Sequence, residues 1–465
     1  MKKCIIICCL FVFWQQNAQD SILNKMTLSE YLGYVKNYHP IVKQANLIIN
    51  GSEAKLLKKR GAFDPKIEVD FNEKVFKGTT YYNKLNATFK IPTWYGVEFK
   101  ANYEKNEGRF LNQENNIPLE GLYSAGISIA FAKGFLINKR MTALKQAKFF
   151  LNQAKEDQQI LVNTVLYDAS LSYFNWLKTY NEKRVYISFL NNAKIRFEGT
   201  KRAFQEGEKP AIDTLEAGIT LNSRRLNLEK ATIKLIKARL ELSNYLWLNE
   251  NTPIELKENI IPDLKTFAVI NKTFNIALFN DENFDIDNHP KIRSLGFKIK
   301  SLDANRRLKL NNLLPKIDFQ YNFLSPNAEQ INSFNTANYK AGLNFSMPLF
   351  IRKERGELKL ARIKLQDKKL ENDATKVFIK NKINAIQQEL ASYIIQNNFT
   401  FKIVRDYDVL LKAEERKFFL GESSLFLVNY REEKYIDSKL KAINLENSFF
   451  KAKASLFKEA VISIN

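Results

Sequence analysis

Cysteine is almost missing from this sequence. Its three copies, Cys4, Cys8 and Cys9, all lie within the first nine residues, so the remainder can form no disulfide and offers no thiolate metal cage. Histidine occurs twice, at His39 and His289, each directly before a proline and neither beside a carboxylate cluster. That position suits a structural role at a helix start better than a metal site. Glycine-rich phosphate loops and Gly-x-Ser-x-Gly elbows are absent, and no carboxylate pair stands out from the charged helical background. The expectation is a protein without catalysis, cofactor or metal. The most apolar run, Ile5–Trp14, is far shorter than the roughly 20 residues a spanning helix needs.

Lys2 and Lys3 precede that apolar run, and Ala18 follows a short polar stretch. Residues 1–18 therefore read as an export signal. Its cysteines sit at the beginning and middle of the run, where a lipid-anchored start would need one after it. The formal charge is +22, of which Lys2 and Lys3 leave with the signal. In an exported chain whose basic residues are scattered along helices, this charge points to solvated faces and anionic lipid head groups, and nucleic acid is not expected as a partner.

The chain is written twice. Shifted by 250 residues, His39-Pro40 meets His289-Pro290, Pro65-Lys66-Ile67 meets Pro315-Lys316-Ile317, and Asn72 meets Asn322. Few other pairs are identical, but the landmarks agree: helix start, proline break, strand start. At a shorter shift, Arg202-x-Phe204-x-x-Gly207-Glu208 meets Arg416-x-Phe418-x-x-Gly421-Glu422. The organisation expected is a first repeat over 19–248, a linker over 249–288 carrying Pro253 and Pro262, and a second repeat over 289–465.

Strands are expected at about 65–131 and 315–348, where the side chains alternate strictly. Ile67, Val69 and Phe71 oppose Glu68, Asp70 and Asn72, and Ile317, Phe319, Tyr321 and Phe323 oppose Asp318, Gln320 and Asn322. Ala125–Phe131 and Ala341–Met347 repeat the pattern. Such segments fit transmembrane barrel strands with a lipid face and a lumen face; a soluble half-buried sheet shares the alternation. Two further alternating segments lie between Tyr81 and Glu104, in the first half only. Aromatic residues near the strand ends, including Trp94, Tyr123, Tyr339 and Phe350, suit interfacial girdles.

From Asn138 to Glu206 there is no proline and one glycine, Gly199. Leu144, Ala147, Leu151, Ala154, Leu161 and Val165 repeat at spacings of three, four and seven. A helix over 138–206 would reach roughly 100 Å at 1.5 Å per residue. A matching rod runs over 352–420, and return helices are expected over 211–247 and 424–461. Rods of this length read as coiled coil. Gly207 and Gly421 end them; Asp213, Ser423 and Ser424 are placed to start the helices that come back.

Four to six strands cannot close a barrel, which needs about eight, and open edges are not tolerated in lipid. A symmetric oligomer follows if the strands span. At this point the sequence resembles the TolC family of outer-membrane efflux proteins over nearly its whole length. The resemblance rests on the tandem halves, the His-Pro helix starts, the Pro-Lys-Ile strand starts and Met347-Pro348-Leu349-Phe350 before a basic long helix. It rests further on the tips, Phe204-x-x-Gly207 with Ile212-Asp213-x-Leu215-x-Ala217 and Phe418-x-x-Gly421 with Ser423-Ser424-Leu425.

The resemblance implies an α+β membrane protein: a trimeric outer-membrane β-barrel with four strands per protomer, continued by a periplasmic α-helical barrel of coiled-coil type. It implies a homotrimer docking a periplasmic adaptor and an inner-membrane transporter at the tips, through Gly207, Glu208, Gly421, Glu422 and Ser423. Two departures stand out. Where the family often places acidic residues after the second tip glycine, this sequence has Leu427 and Tyr430, and Asp213 alone keeps a carboxylate in the matching first-half position. A periplasmic gate of Asp213, Leu427 and Tyr430 is then sealed by apolar and aromatic groups, with a neutral or anion-tolerant duct. The extra pair between Tyr81 and Glu104 either makes six barrel strands per protomer or forms a hairpin outside the bilayer, the favoured reading here. The competing function is a non-spanning periplasmic coiled-coil scaffold or adaptor; a passive porin has no use for such rods.

Overall fold

A computed structural model of the chain describes residues 25–276, 284–333 and 335–462. The signal expected over 1–18 lies outside the described residues. The chain divides into two compact units, each drawn from both sequence halves. One comprises the residues up to Ala45 with Ile160–Phe284 and Ile379–Asn465; the other comprises Asn46–Gln159 with Asp285–Phe378.

The second unit holds the sheet. After the short strand β1 (Lys25–Met26) and helices α1 (Leu28–Tyr38) and α2 (Pro40–Arg60), the chain enters β2 (Lys66–Phe76), β3 (Thr79–Pro92), β4 (Val97–Glu107) and β5 (Leu122–Ala132). Much later, β7 (Lys316–Ser325) and β8 (Tyr339–Ser346) complete one six-stranded sheet in the order β2-β3-β4-β5-β7-β8, antiparallel throughout. The pair between Tyr81 and Glu104 does not stand apart as a separate hairpin. Its two strands pair with each other over Asn83–Pro92 and Glu98–Glu107, and lie between β2 and β5 in the sheet. The physical reason is parity: β3 and β4 carry the same alternation as their neighbours, so joining the sheet keeps Leu85, Ala87, Phe89, Phe99, Ala101 and Tyr103 on the face of Ile67, Val69 and Phe71.

That register is kept across all six strands. Ile67, Phe89, Ala101, Ala125, Phe323 and Tyr339 fall in one lateral row, and Val97, Ile129, Phe319 and Leu343 in another. The opposite face carries Glu68, Thr88, Asn102 and Ser124, then Glu98, Ser128, Gln320 and Gly342. The apolar face is uncovered: Ile67 is 76% and Leu343 71% exposed. Both outer strands, β2 and β8, are exposed from end to end.

The first unit is helical and built on an aromatic core. To it belong α3 (Lys139–Gln205) from Ile160 onward, α4 (Ala211–Ser243), α7 (Arg352–Phe419) from Ile379 onward and α8 (Leu425–Ala460). The absence of proline lets both rods run unbroken. Segment 249–288, expected as a linker, contributes β6 (Ile261–Pro262), which pairs in parallel with β1, and α5 (Thr266–Thr273). Ile270 and Phe274 from this segment are fully buried, with Phe274 packed 4.9 Å from the Phe457 ring and 6.3 Å from Phe174. Tyr173 of α3 pins the same region: its hydroxyl donates to the Met26 carbonyl at 2.9 Å and accepts from the Asp263 N–H at 3.2 Å.

The two histidines are matched helix caps, one in each unit. Ile41 N–H donates to His39 Nδ1 at 3.2 Å, and Lys291 N–H donates to His289 Nδ1 at 3.1 Å at the start of α6 (Pro290–Asn311). In both cases proline takes the first helical position, where its missing N–H costs nothing.

Candidate functional site

The helical tips are built alike. In the first, Gly207 has φ +81°, its N–H donates to the Phe204 carbonyl at 3.0 Å, and the Glu208 N–H donates to the Ala203 carbonyl at 2.9 Å. In the second, Gly421 has φ +80°, its N–H donates to Phe418 at 3.1 Å, and Glu422 donates to Lys417 at 2.9 Å. Each is a Schellman stop, which requires a left-handed residue and therefore favours glycine. Lys209 lies with its Nζ 4.2 Å from the Phe418 ring, joining the first tip to the second.

The expected gate residues occupy the first turns of the return helices. Asp213 is half-buried in the first turn of α4 and makes no side-chain cap, since the chain enters there through Pro210. Among the described residues no cation lies within ion-pair distance of it. On α8, Ser424 is the cap and accepts from the Leu427 N–H at 3.4 Å. Ser423 instead donates to Glu414 Oε1 at 2.5 Å. Leu427 and Tyr430 are 39% and 44% exposed, and Tyr430 has Lys434 Nζ 5.4 Å from its ring.

Sequence reading missed the strongest electrostatic feature of this end. Glu432 on α8 is fully buried, and its two oxygens meet two arginines: Oε2 is bound by Arg196 of α3, and Oε1 lies 3.3 Å from Arg224 Nε on α4. Arg196 also reaches Asn429 Oδ1 at 3.0 Å and Glu415 Oε1 of α7 at 3.5 Å, and Asn429 Nδ2 donates to Glu216 Oε1 at 3.0 Å. Four helices are thereby tied by one buried charge cluster. Burial holds the Glu415 carboxyl above its usual range against the pull of Arg196. A signal existed in the heptads. Arg224 stands in the buried seam that Ala217, Ala231 and Ala238 mark every seven residues, and Glu432 follows buried Leu425 by seven. A charge in an apolar seam demands a buried counter-charge.

A second seam on α4 is exposed. Ile212, Ile219, Leu226, Ile233 and Leu240 recur every seven residues at 45–66% exposure. Among the described residues no group of histidine, cysteine and carboxylates is placed to hold a metal ion, and no helix is long and apolar enough to cross a membrane.

No protein-family model matches the chain, and no curated relative matches it in sequence. Solved structures do. The outer membrane channel CmeC of Campylobacter jejuni superposes with TM-score 0.65 at 14% identity, covering 93% of this chain and 85% of that one. The outer membrane protein VceC of Vibrio cholerae gives 0.65 at 12%, covering 94% and 97%. The chain has the outer-membrane-channel fold. The open state of the MtrE outer membrane channel of Neisseria gonorrhoeae matches it too, with TM-score 0.64 at 12% identity over 94% of this chain and 89% of that one. The coarse fold that the resemblance to the TolC family implied, a β-sheet joined to long helices in this order, is thus the fold found, with six strands in the sheet where four were expected. At these identities the likeness lies in the course of the chain and the order of its elements, while the side chains of sheet and tips are this sequence's own.

Proposed function

We propose that three copies of this chain form an outer-membrane export duct, with the sheets in the lipid and the helices in the periplasm. The observation that carries this is the sheet: one face predominantly apolar and exposed at Ile67, Val69, Phe71, Leu343 and Phe345, the other predominantly polar, with the outer edges of β2 and β8 unpaired. Water does not tolerate the face, and lipid does not tolerate the edges. Because six is even, β8 of one copy runs antiparallel to β2 of the next, and three copies close eighteen strands. Barrel diameter grows roughly linearly with strand number, so this barrel is about half as wide again as a twelve-stranded one. The exposed heptad of α4 supports the same assembly, since an apolar stripe of period seven calls for a neighbouring helix.

The tips, through Gly207, Glu208, Gly421, Glu422 and Ser423, are the surfaces offered to a periplasmic adaptor and, behind it, an inner-membrane transporter. Leu427 and Tyr430 seal the closed end, with Asp213 as its lone carboxylate. A non-spanning scaffold is disfavoured because it would leave the aromatic sheet face in water. Carbonate extraction and unheated gel electrophoresis test the assignment. A protein that stays in the membrane and migrates as a heat-dissociable trimer supports it. Between engineered cysteines scanned along Lys66–Phe76 and Tyr339–Ser346, disulfides should join copies, unambiguously because the chain beyond Cys9 has no cysteine. Release by carbonate would refute the duct.

A further inference from the structure

The polar face of the sheet carries a row that the fold does not need. Lys66 lies directly opposite Lys90, and Lys90 directly opposite Lys100. The same lateral line continues through Gly126 and Asn322 to Lys340. Four of its six positions are lysine and none is acidic. Like charges set directly opposite destabilise a sheet, and this row contains two such pairs in succession. The neighbouring carboxylates offset them only in part. Glu68 is engaged by Lys90 and Glu98 by Arg140, while Lys66, Lys100 and Lys340 have no carboxylate within ion-pair distance among the described residues.

Register turns the row into a path. Lys66 opens β2 at the end of the sheet nearest the helices in sequence, and Lys340 lies at the opposite end, near the start of β8. Strands in a closed barrel are tilted by 35–45°, so a line perpendicular to them climbs along the wall instead of circling at one height. We propose that this lysine row is an anion-guiding track: on the duct reading above, on which it rests, it faces the lumen and attracts solutes bearing carboxylate or phosphate groups. Low-dielectric walls concentrate the field of unpaired charges inside such a lumen, and rings of lysine or arginine select anions in pores.

The test is conductance of the purified full-length protein in planar lipid bilayers under a potassium chloride gradient. The variant Lys66→Gln/Lys100→Gln/Lys340→Gln leaves the Lys90–Glu68 pair intact. Expected are wild-type channels that favour chloride, and a chloride-to-potassium permeability ratio at least about threefold lower in the triple variant. Inorganic tripolyphosphate should block the wild-type current and need about tenfold more to block the variant. Lys105→Gln, on the apolar face, should change neither. Equal ratios and equal block in wild type and triple variant overturn the track while leaving the duct standing. If the wild-type protein forms no channels at all, the duct reading fails and the track with it.

Discussion

Replacing Glu432 by glutamine removes one charge and almost no volume, so its effect isolates electrostatics. The carboxylate is fully buried, and the Arg196 and Arg224 side chains that bind it are only 12% and 9% exposed. Losing one partner of a buried ion pair costs about 3–5 kcal/mol, because the remaining charge is stranded in a poorly solvated site. An exposed pair such as Lys412–Asp408, whose lysine is 70% exposed, contributes at most about 1 kcal/mol. The loss should therefore be local and large. Hydrogen exchange measured by mass spectrometry should show peptides covering 190–225 and 410–440 exchanging about a hundredfold faster, the factor corresponding to the lower bound, with the sheet unchanged. A complementary variant, Arg196→Met/Arg224→Ala/Glu432→Leu, extends the alanine seam of α4 and should recover near wild-type protection, since apolar replacement of buried ions is often neutral. Exchange within threefold of wild type for Glu432→Gln would refute the reasoning.

Burial lowers the His39 pKa below its ordinary 6.5, so the unfolded chain takes the proton first as pH falls. Stability should be flat above that value and decline below it, and His39→Asn, a cap that does not titrate, should flatten the acid side of a thermal-melting profile. Gly207→Ala and Gly421→Ala each force a side chain into the left-handed region and should cost about 1–2 kcal/mol, seen as lower melting temperature and faster exchange at the affected tip. Ile233→Asp places a charge in the exposed α4 seam. It should shift the assembly from trimer to monomer on native mass spectrometry while the helical circular dichroism signal is retained; an intact trimer would remove that seam from the interface.

Much of the candidate site was readable residue by residue. The tip glycines, the capping serine and the histidine caps depend on backbone conformations that one or two residues dictate, so short motifs sufficed. The Arg196–Glu432–Arg224 cluster was not read in advance, although Arg224 broke an alanine heptad, because its partner lies on a helix far along the chain. A lone charge in a seam says that a counter-charge exists, and only packing says where.

The same division holds for the whole molecule. Periodicity determined the long strands and the rods, since period two and period seven each suit one backbone geometry, and the tip glycines determined the turns between rods. Alternation also decided which residues of each strand share a face. It could not decide how many strands join one sheet. That depends on hydrogen-bond partners chosen across the fold, and there β3 and β4 entered between β2 and β5. The lysine row is of the same kind: Lys66, Lys90, Lys100 and Lys340 become neighbours only when five ladders are in register. Register between distant strands is a tertiary quantity, set by burial and pairing together, and no local pattern contains it.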